Sequence, residues 1–116
     1  MKKIDIGKLG ENLATKYIIS LGYKILERNF RCKFGEIDII AKDKQELVFI
    51  EVKTRTNTKF GNPAEAVNSI KKSHILKTAK YYLYIHKLSN KRIRIDVIEI
   101  YLSNKYYINH IKQIEI

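Results

Sequence analysis

The chain has 116 residues, 45% of them hydrophobic, and carries 23 Lys and Arg against 12 Asp and Glu, a formal charge of +11. That length predicts one basic globular domain over residues 1–116, folding with about two-thirds of its unfolded surface buried. The lone Cys32 excludes an internal disulfide and any zinc site built on paired thiolates, and the longest apolar run, Tyr81–Ile85, falls far short of the roughly 20 residues of a membrane helix. Asp5, Lys8 and Glu11 interrupt the stretch a signal peptide would keep apolar, so no targeting segment is visible and the expectation is a cytoplasmic protein with no membrane partner. A basic surface of this size suits a polyanion such as nucleic acid, yet a chain with eighteen Lys and twenty Ile is also what coding bias toward A and T produces, so charge alone decides little.

From Gly7 to Leu21, Leu9, Leu13, Tyr17 and Leu21 recur every four residues beside Ala14 and Ile18, which predicts an amphipathic helix closed by Gly22. Glu11 lies at the edge of its apolar arc. Tyr23 to Leu26 reads as a short strand, followed by a basic stretch from Arg28 to Lys33, with Phe30 among Arg28, Arg31 and Lys33 as a candidate strand-guiding edge. Two clear strands follow at Glu36–Ala41 and Leu47–Arg55, with turn chemistry at Lys42–Glu46. Asn62-Pro63-Ala64-Glu65 has the N-cap, proline and glutamate of a helix start, and Asn68-Ser69 offers a second cap that would split the long helix in two. Arg92–Tyr101 alternates as a strand, and Lys105–Ile116 reads as a last strand or an irregular tail. Helix, three strands, helix, and one or two strands predict an α/β fold with a mixed sheet flanked by helices.

The chemistry concentrates on the central hairpin. Antiparallel pairing with a loop at Asp43–Glu46 sets Ile37, Ile39 and Ala41 opposite Val52, Ile50 and Val48 on one apolar face. The other face runs from Ile40 opposite Phe49 to Asp38 opposite Glu51 and Glu36 opposite Lys53, with Arg55 beyond. A slip of one residue would mix the faces, so hydrophobic and charge patterns select the same register. Opposed carboxylates about 5 Å apart repel by roughly 3 kcal/mol at an effective dielectric near 20. A hard divalent cation such as magnesium would compensate them, and Lys53 on the same side would orient or deprotonate a water or stabilise charge on a phosphate. The plainer alternative makes Glu36, Asp38, Glu51 and Lys53 the solvated face of a hairpin.

Asp38 and Glu51-Val52-Lys53, with Glu11 on a preceding helix, resemble the PD-(D/E)XK core of restriction endonucleases and archaeal Holliday-junction resolvases. Gly10-Glu11, Gly22-Tyr23, Arg28-Asn29, Gly35-Glu36-Ile37-Asp38, Phe49 to Arg55, Phe60-Gly61, Lys71 and Arg94 to Ile98 extend the likeness over nearly the whole chain, to the bacterial YraN family, also called UPF0102. The resemblance implies a restriction-endonuclease-like sheet with its metal site where the two charged strands splay. It implies that Asp38, Glu51 and the Val52 carbonyl bind magnesium, or manganese in its place, that Lys53 assists the attacking water, and that Glu11 reaches the site from the first helix. Ile37 stands where the superfamily has proline, and Ile95 where the family has an aromatic residue.

The activity so implied is cleavage of branched, flapped or single-stranded DNA in repair or recombination, with a nuclease-fold binding module that grips nucleic acid or a protein without cutting as the rival. RNA is an equally accessible backbone for such a site, and junction-cutting relatives of the wider fold set a homodimer as a further expectation. Arg55 and Lys71 are the candidate phosphate contacts, with Arg28 and Arg31 on the basic stretch. Asp96 is expected to hold an arginine or a turn, and His74, His86 and His110 show no ligand spacing. Tyr81, Tyr82, Tyr84, Tyr106 and Tyr107 read as core or oligomer contacts, with base stacking as the alternative.

Overall fold

A computed structural model describes residues 5–56 and 68–115. Its elements are α1 (Ile6–Ser20), β1 (Lys24–Cys32), β2 (Gly35–Asp43), β3 (Glu46–Arg55), α2 (Ser69–Ile85), β4 (Ile93–Leu102) and β5 (Tyr106–Ile111). The strands form one five-stranded sheet in the order β1-β2-β3-β4-β5, antiparallel throughout except for the parallel pair β3 and β4. That exception follows from connectivity: the chain leaves β3, runs back along α2 and re-enters the sheet beside β3. The expected mixed sheet between helices is what the chain forms. Among the described residues no helix is long and apolar enough to cross a membrane.

Both helices begin at side-chain caps. Asp5 accepts from Lys8 N–H at 3.0 Å, and Asn68 accepts from Lys71 N–H at 2.9 Å, satisfying amides that have no intrahelical partner. The cap expected at Asn68-Ser69 is therefore used, while the start expected at Asn62–Glu65 lies outside the described residues. In α1 the buried seam is Gly10, Ala14 and Ile18, with Leu13 and Tyr17 beside it, and Leu9 and Leu21 are exposed. The predicted stripe is thus rotated by about one residue. Its cause is a close approach at Gly10, where a Cβ would overlap the Thr54 side chain of β3. Residues without bulk, not the leucines, let this helix sit against the sheet.

The sheet has a core on each face. On the α1 side, Ala14 and Ile18 pack with Ile39, Ala41, Val48, Ile50, Val52, Ile98 and Ile100. On the α2 side, Ile75, Ala79, Tyr82 and Leu83 pack with Phe30, Ile40, Phe49, Ile95 and Val97. Ile37 joins this second cluster and not the first, so the face that was expected to be continuous from Ile37 to Ala41 changes sides between Ile37 and Ile39. Phe30 is another correction: it is a buried core residue, its ring meeting Tyr82 edge-on at 5.2 Å, because β1 runs on to Cys32 and carries the basic stretch as strand. The final segment resolves in favour of a strand, β5.

Candidate active site

The register of β2 with β3 is the predicted one from Ile39 opposite Ile50 to Asp43 opposite Glu46, closed by a two-residue turn whose Lys44 adopts φ +55°. The ladder stops at Ile39 and Ile50, although β2 continues to pair with β1 as far as Gly35 and β3 with β4 as far as Arg55. The two strands therefore fork. In place of a further ladder bond, Asp38 Oδ2 accepts from the Val52 N–H at 2.8 Å. The side chain of Asp38 takes over the hydrogen bonding that the parted backbone has lost, which fixes the carboxyl in the fork.

Glu51 lies beside it, itself 7% exposed. Burial pushes the Asp38 carboxyl up to about 7, the negative charge of Glu51 adds to the rise, and the Val52 N–H opposes it. Glu36 contributes a smaller rise from two positions away on β2. Asp38 therefore holds its proton to a higher pH than an ordinary carboxyl, and the neighbouring Glu51 favours that protonated form. Lys71, from the first turn of α2, brings its ammonium to 3.6 Å from Glu51 Oε2. Lys71, expected as a phosphate contact, is therefore the cation of the carboxylate pair.

Lys53 is two residues beyond Glu51 on the same face of β3, half-buried, in register with Glu99 of β4. Thr54, between them in the alternation with Arg55, faces α1. Arg55 lies 3.9 Å from Glu99, whose side chain is completely buried. Glu99 Oε1 accepts from Asn109 at 2.8 Å and Tyr101 at 3.2 Å, while its Oε2 and the Arg55 Nε have no hydrogen-bond partner among the described residues. Glu99 is the charged residue that reading the sequence missed. The parallel pairing that brings it alongside Lys53 is set by tertiary structure, and the local signal was an acidic residue between Ile98 and Ile100.

The remaining candidates surround a different feature. A cavity of about 500 Å³ opens between the start of α1 and the end of β1, lined by Lys8, Glu11, Arg28, Asn29, Arg31 and Glu36 among others. Glu11 accepts from Asn29 Nδ2 at 2.9 Å and lies 3.6 Å from Arg28, which also donates to Asn12 at 2.9 Å. Arg31 pairs with Glu36 at 3.3 Å. The fold thus gathers Asp38, Glu51, Val52 and Lys71 in the fork, sets Lys53 and Arg55 along β3, and ties Glu11 to Arg28 and Arg31 to Glu36 at the cavity. Among the described residues no group of three or more His, Cys, Asp or Glu is placed to hold a metal ion.

A second charged network sits on the α1 side, toward the hairpin end of the sheet. Arg94 donates to both oxygens of the fully buried Asp96, at 2.9 and 3.2 Å, and to Asp43, Glu46 and Tyr23. His110 bridges Asp96, at 2.7 Å, and Tyr17, at 3.0 Å. Burial would raise Asp96, but His110, Arg94 and the Gln113 N–H outweigh it and hold the carboxyl below its ordinary value. Asp96 holds an arginine, as expected, and serves the packing of β4 and β5.

These features define an α/β protein with a half-buried Asp38 beside a buried Glu51 in the fork of a mixed sheet and basic side chains along β3 beyond it. The family model for the uncharacterised protein family UPF0102 matches residues 10–100. The chain is 50% identical over 111 residues to a UPF0102 protein of Clostridioides difficile, covering 96% of each, and 48% identical over 112 residues to one of Caldicellulosiruptor bescii, covering 96% of this chain and 94% of that one. A UPF0102 protein of Clostridium botulinum is 56% identical over 100 residues, 85% of this chain and 81% of the relative. The chain belongs to the UPF0102 family.

Proposed function

We propose that the chain is a metal-dependent nuclease of the cytoplasm that hydrolyses phosphodiester bonds of branched, flapped or single-stranded DNA in repair or recombination. The observation that carries this reading is the Asp38–Glu51 pair, two carboxyls held together in a buried fork although burial and mutual repulsion raise Asp38 to about 7. A fold gains no stability from such an arrangement, and a strongly perturbed acid in a recess, with a second carboxyl beside it, is what a functional site requires. The donor set fits a hard divalent cation: Asp38, Glu51 and the Val52 carbonyl would hold magnesium, with manganese in its place. When bound, the cation supplies positive charge to the phosphate and makes water a better nucleophile at neutral pH.

The protein's own groups would do the rest. The Val52 N–H and the fork geometry orient Asp38. Lys71 offsets the charge of Glu51. Lys53, on the face of Glu51, would take the proton of the attacking water or stabilise the phosphate oxygens, and Arg55 would clamp a neighbouring phosphate while Glu99 sets its position. Glu11, with Arg28 and Arg31, would meet the substrate from the α1 cavity.

A binding module without cleavage is the second reading, favoured by one observation: Glu11 is engaged with Arg28 and Asn29 and makes no third carboxylate at the fork. Incubation of pure protein with junction, flap, duplex and single-stranded DNA plus magnesium or manganese, beside an Asp38→Asn/Glu51→Gln variant, separates the two. Products from the wild type alone support the nuclease; equal products from both proteins, or none, reject it.

A further inference from the structure

No Asp or Glu stands between Glu65 and Asp96, whereas Lys71, Lys72, Lys77, Lys80, Lys87 and Lys91 all do. A merely solvated helix places glutamates four residues before its lysines, each such pair contributing about 0.2–0.5 kcal/mol, and α2 has none of them. Its lysines are not scattered. The buried residues Ile75, Thr78, Ala79, Tyr82 and Leu83 define one side of the helix. Lys77, Lys80 and Tyr84, spaced by three and four, define the opposite, exposed side, and Lys87 and Lys91 are exposed just beyond its end.

None of these four lysines lies within 4.0 Å of a carboxylate among the described residues. Tyr84 stands among them with 76% of its surface in solvent. At the other end of the helix, Lys71 touches Glu51. Lys71 belongs to the sheet-facing side of α2, so the exposed ridge is separate from the fork contact; along it Lys77 and Lys80 stand about 4.5 Å apart in helix rise, followed by one free aromatic face.

We infer that the outer ridge of α2, Lys77, Lys80 and Tyr84, with Lys87 just beyond its end, is a track for single-stranded nucleic acid. Cations without a carboxylate partner among the described residues ask for a polyanion. Tyr84 selects the single-stranded form, because its ring can stack only on a base that is not already stacked in a duplex. The name of the polyanion rests on the nuclease reading; the need for one rests on the helix itself.

The test is fluorescence anisotropy with a labelled oligo(dT) in EDTA, over a series of salt concentrations. A Lys77→Gln/Lys80→Gln/Lys87→Gln variant is compared with a control of equal charge, Lys16→Gln/Lys44→Gln/Lys105→Gln, whose three sites are exposed on α1 and in turns. Neutralising three phosphate contacts should lower the slope of log K against log salt by about 2. The ridge variant is expected to show that loss and the control less than a quarter of it, with both variants melting like the wild type. Tyr84→Ala should weaken binding to oligo(dT) roughly tenfold and leave binding to a duplex of equal length unchanged.

Equal loss in both triple variants would reduce the effect to net charge and overturn the track, as would an unchanged ridge variant. An equal effect of Tyr84→Ala on duplex would overturn the single-strand assignment. Because EDTA removes divalent metal, the anisotropy reads binding apart from cleavage: ridge-dependent binding in EDTA with no cleavage in the magnesium or manganese incubation would sink the hydrolase alone, and cleavage there with ridge-independent binding in EDTA would sink the track alone.

Discussion

Replacing Asp38 by Asn should stabilise the metal-free protein. The folded-state carboxyl titrates at about 7 against 3.8 for an unperturbed one, a rise of about three pK units, which corresponds to about 4 kcal/mol at 1.36 kcal/mol per unit. Relaxation around the fork reduces this, so the expected gain is about 2–4 kcal/mol. Its sign follows from linkage: a carboxyl whose pKa is higher in the fold favours folding while protonated, contributes fully below the unfolded value, and loses that contribution as pH rises through about 7. Asn keeps an oxygen to accept the Val52 N–H and never ionises. In EDTA at pH 8 the Asp38→Asn protein should therefore melt at least about 6 °C above the wild type, taking about 3 °C per kcal/mol for a domain near this size. At pH 4 the two should coincide. Thermal unfolding by circular dichroism at both pH values measures the difference. A variant that melts lower than the wild type at pH 8, or a gap that does not close on acidification, would refute the placement of two carboxyls in one buried fork.

Other consequences test the surroundings of the site. Lys71→Ala removes the cation near Glu51 and should cost about 0.5–1 kcal/mol at pH 8 in EDTA, a modest value because the lysine is 40% exposed, measured by urea unfolding. Arg94→Ala leaves Asp96 buried without its principal partner and should cost about 3–5 kcal/mol in the same measurement. Gly10→Ala should lower the melting temperature despite the better helix propensity of alanine, since the new methyl meets Thr54, and a Thr54→Gly change in the same chain should restore part of the loss.

The fold was legible where local pattern and long-range contact agree. The alternation of β2 and β3 admits one register, and the chain adopts it from Ile39 to Asp43. Asp96 with Arg94, and Asn68 as a cap, were legible for the same reason: partners two or three residues apart in sequence are partners in space. The fork at Ile39 and Ile50 was not, because a strand that leaves one neighbour and keeps another has the same alternation as one that keeps both. Hence Ile37 was assigned to the wrong face, and the carboxylates that were expected as ladder partners meet through a side-chain bond to Val52 instead. The α1 stripe was misread because leucine spacing carries the amphipathic signal, while the contact itself depends on the absence of a side chain at Gly10.

Of the candidate residues, Asp38, Glu51 and Val52 fall together because they share the hairpin. Glu11 arrives on a separate helix whose rotation the sequence leaves free, and it settles against Arg28 and Asn29.

Isothermal calorimetry of magnesium and manganese binding to the wild type, Asp38→Asn and Glu51→Gln tests the proposed cation site with no substrate assumed. One ion per chain should bind to the wild type, with proton release that grows as pH falls from 8 toward 6, and binding should be lost in both variants. Binding that survives in either variant, or none in the wild type, would contradict it.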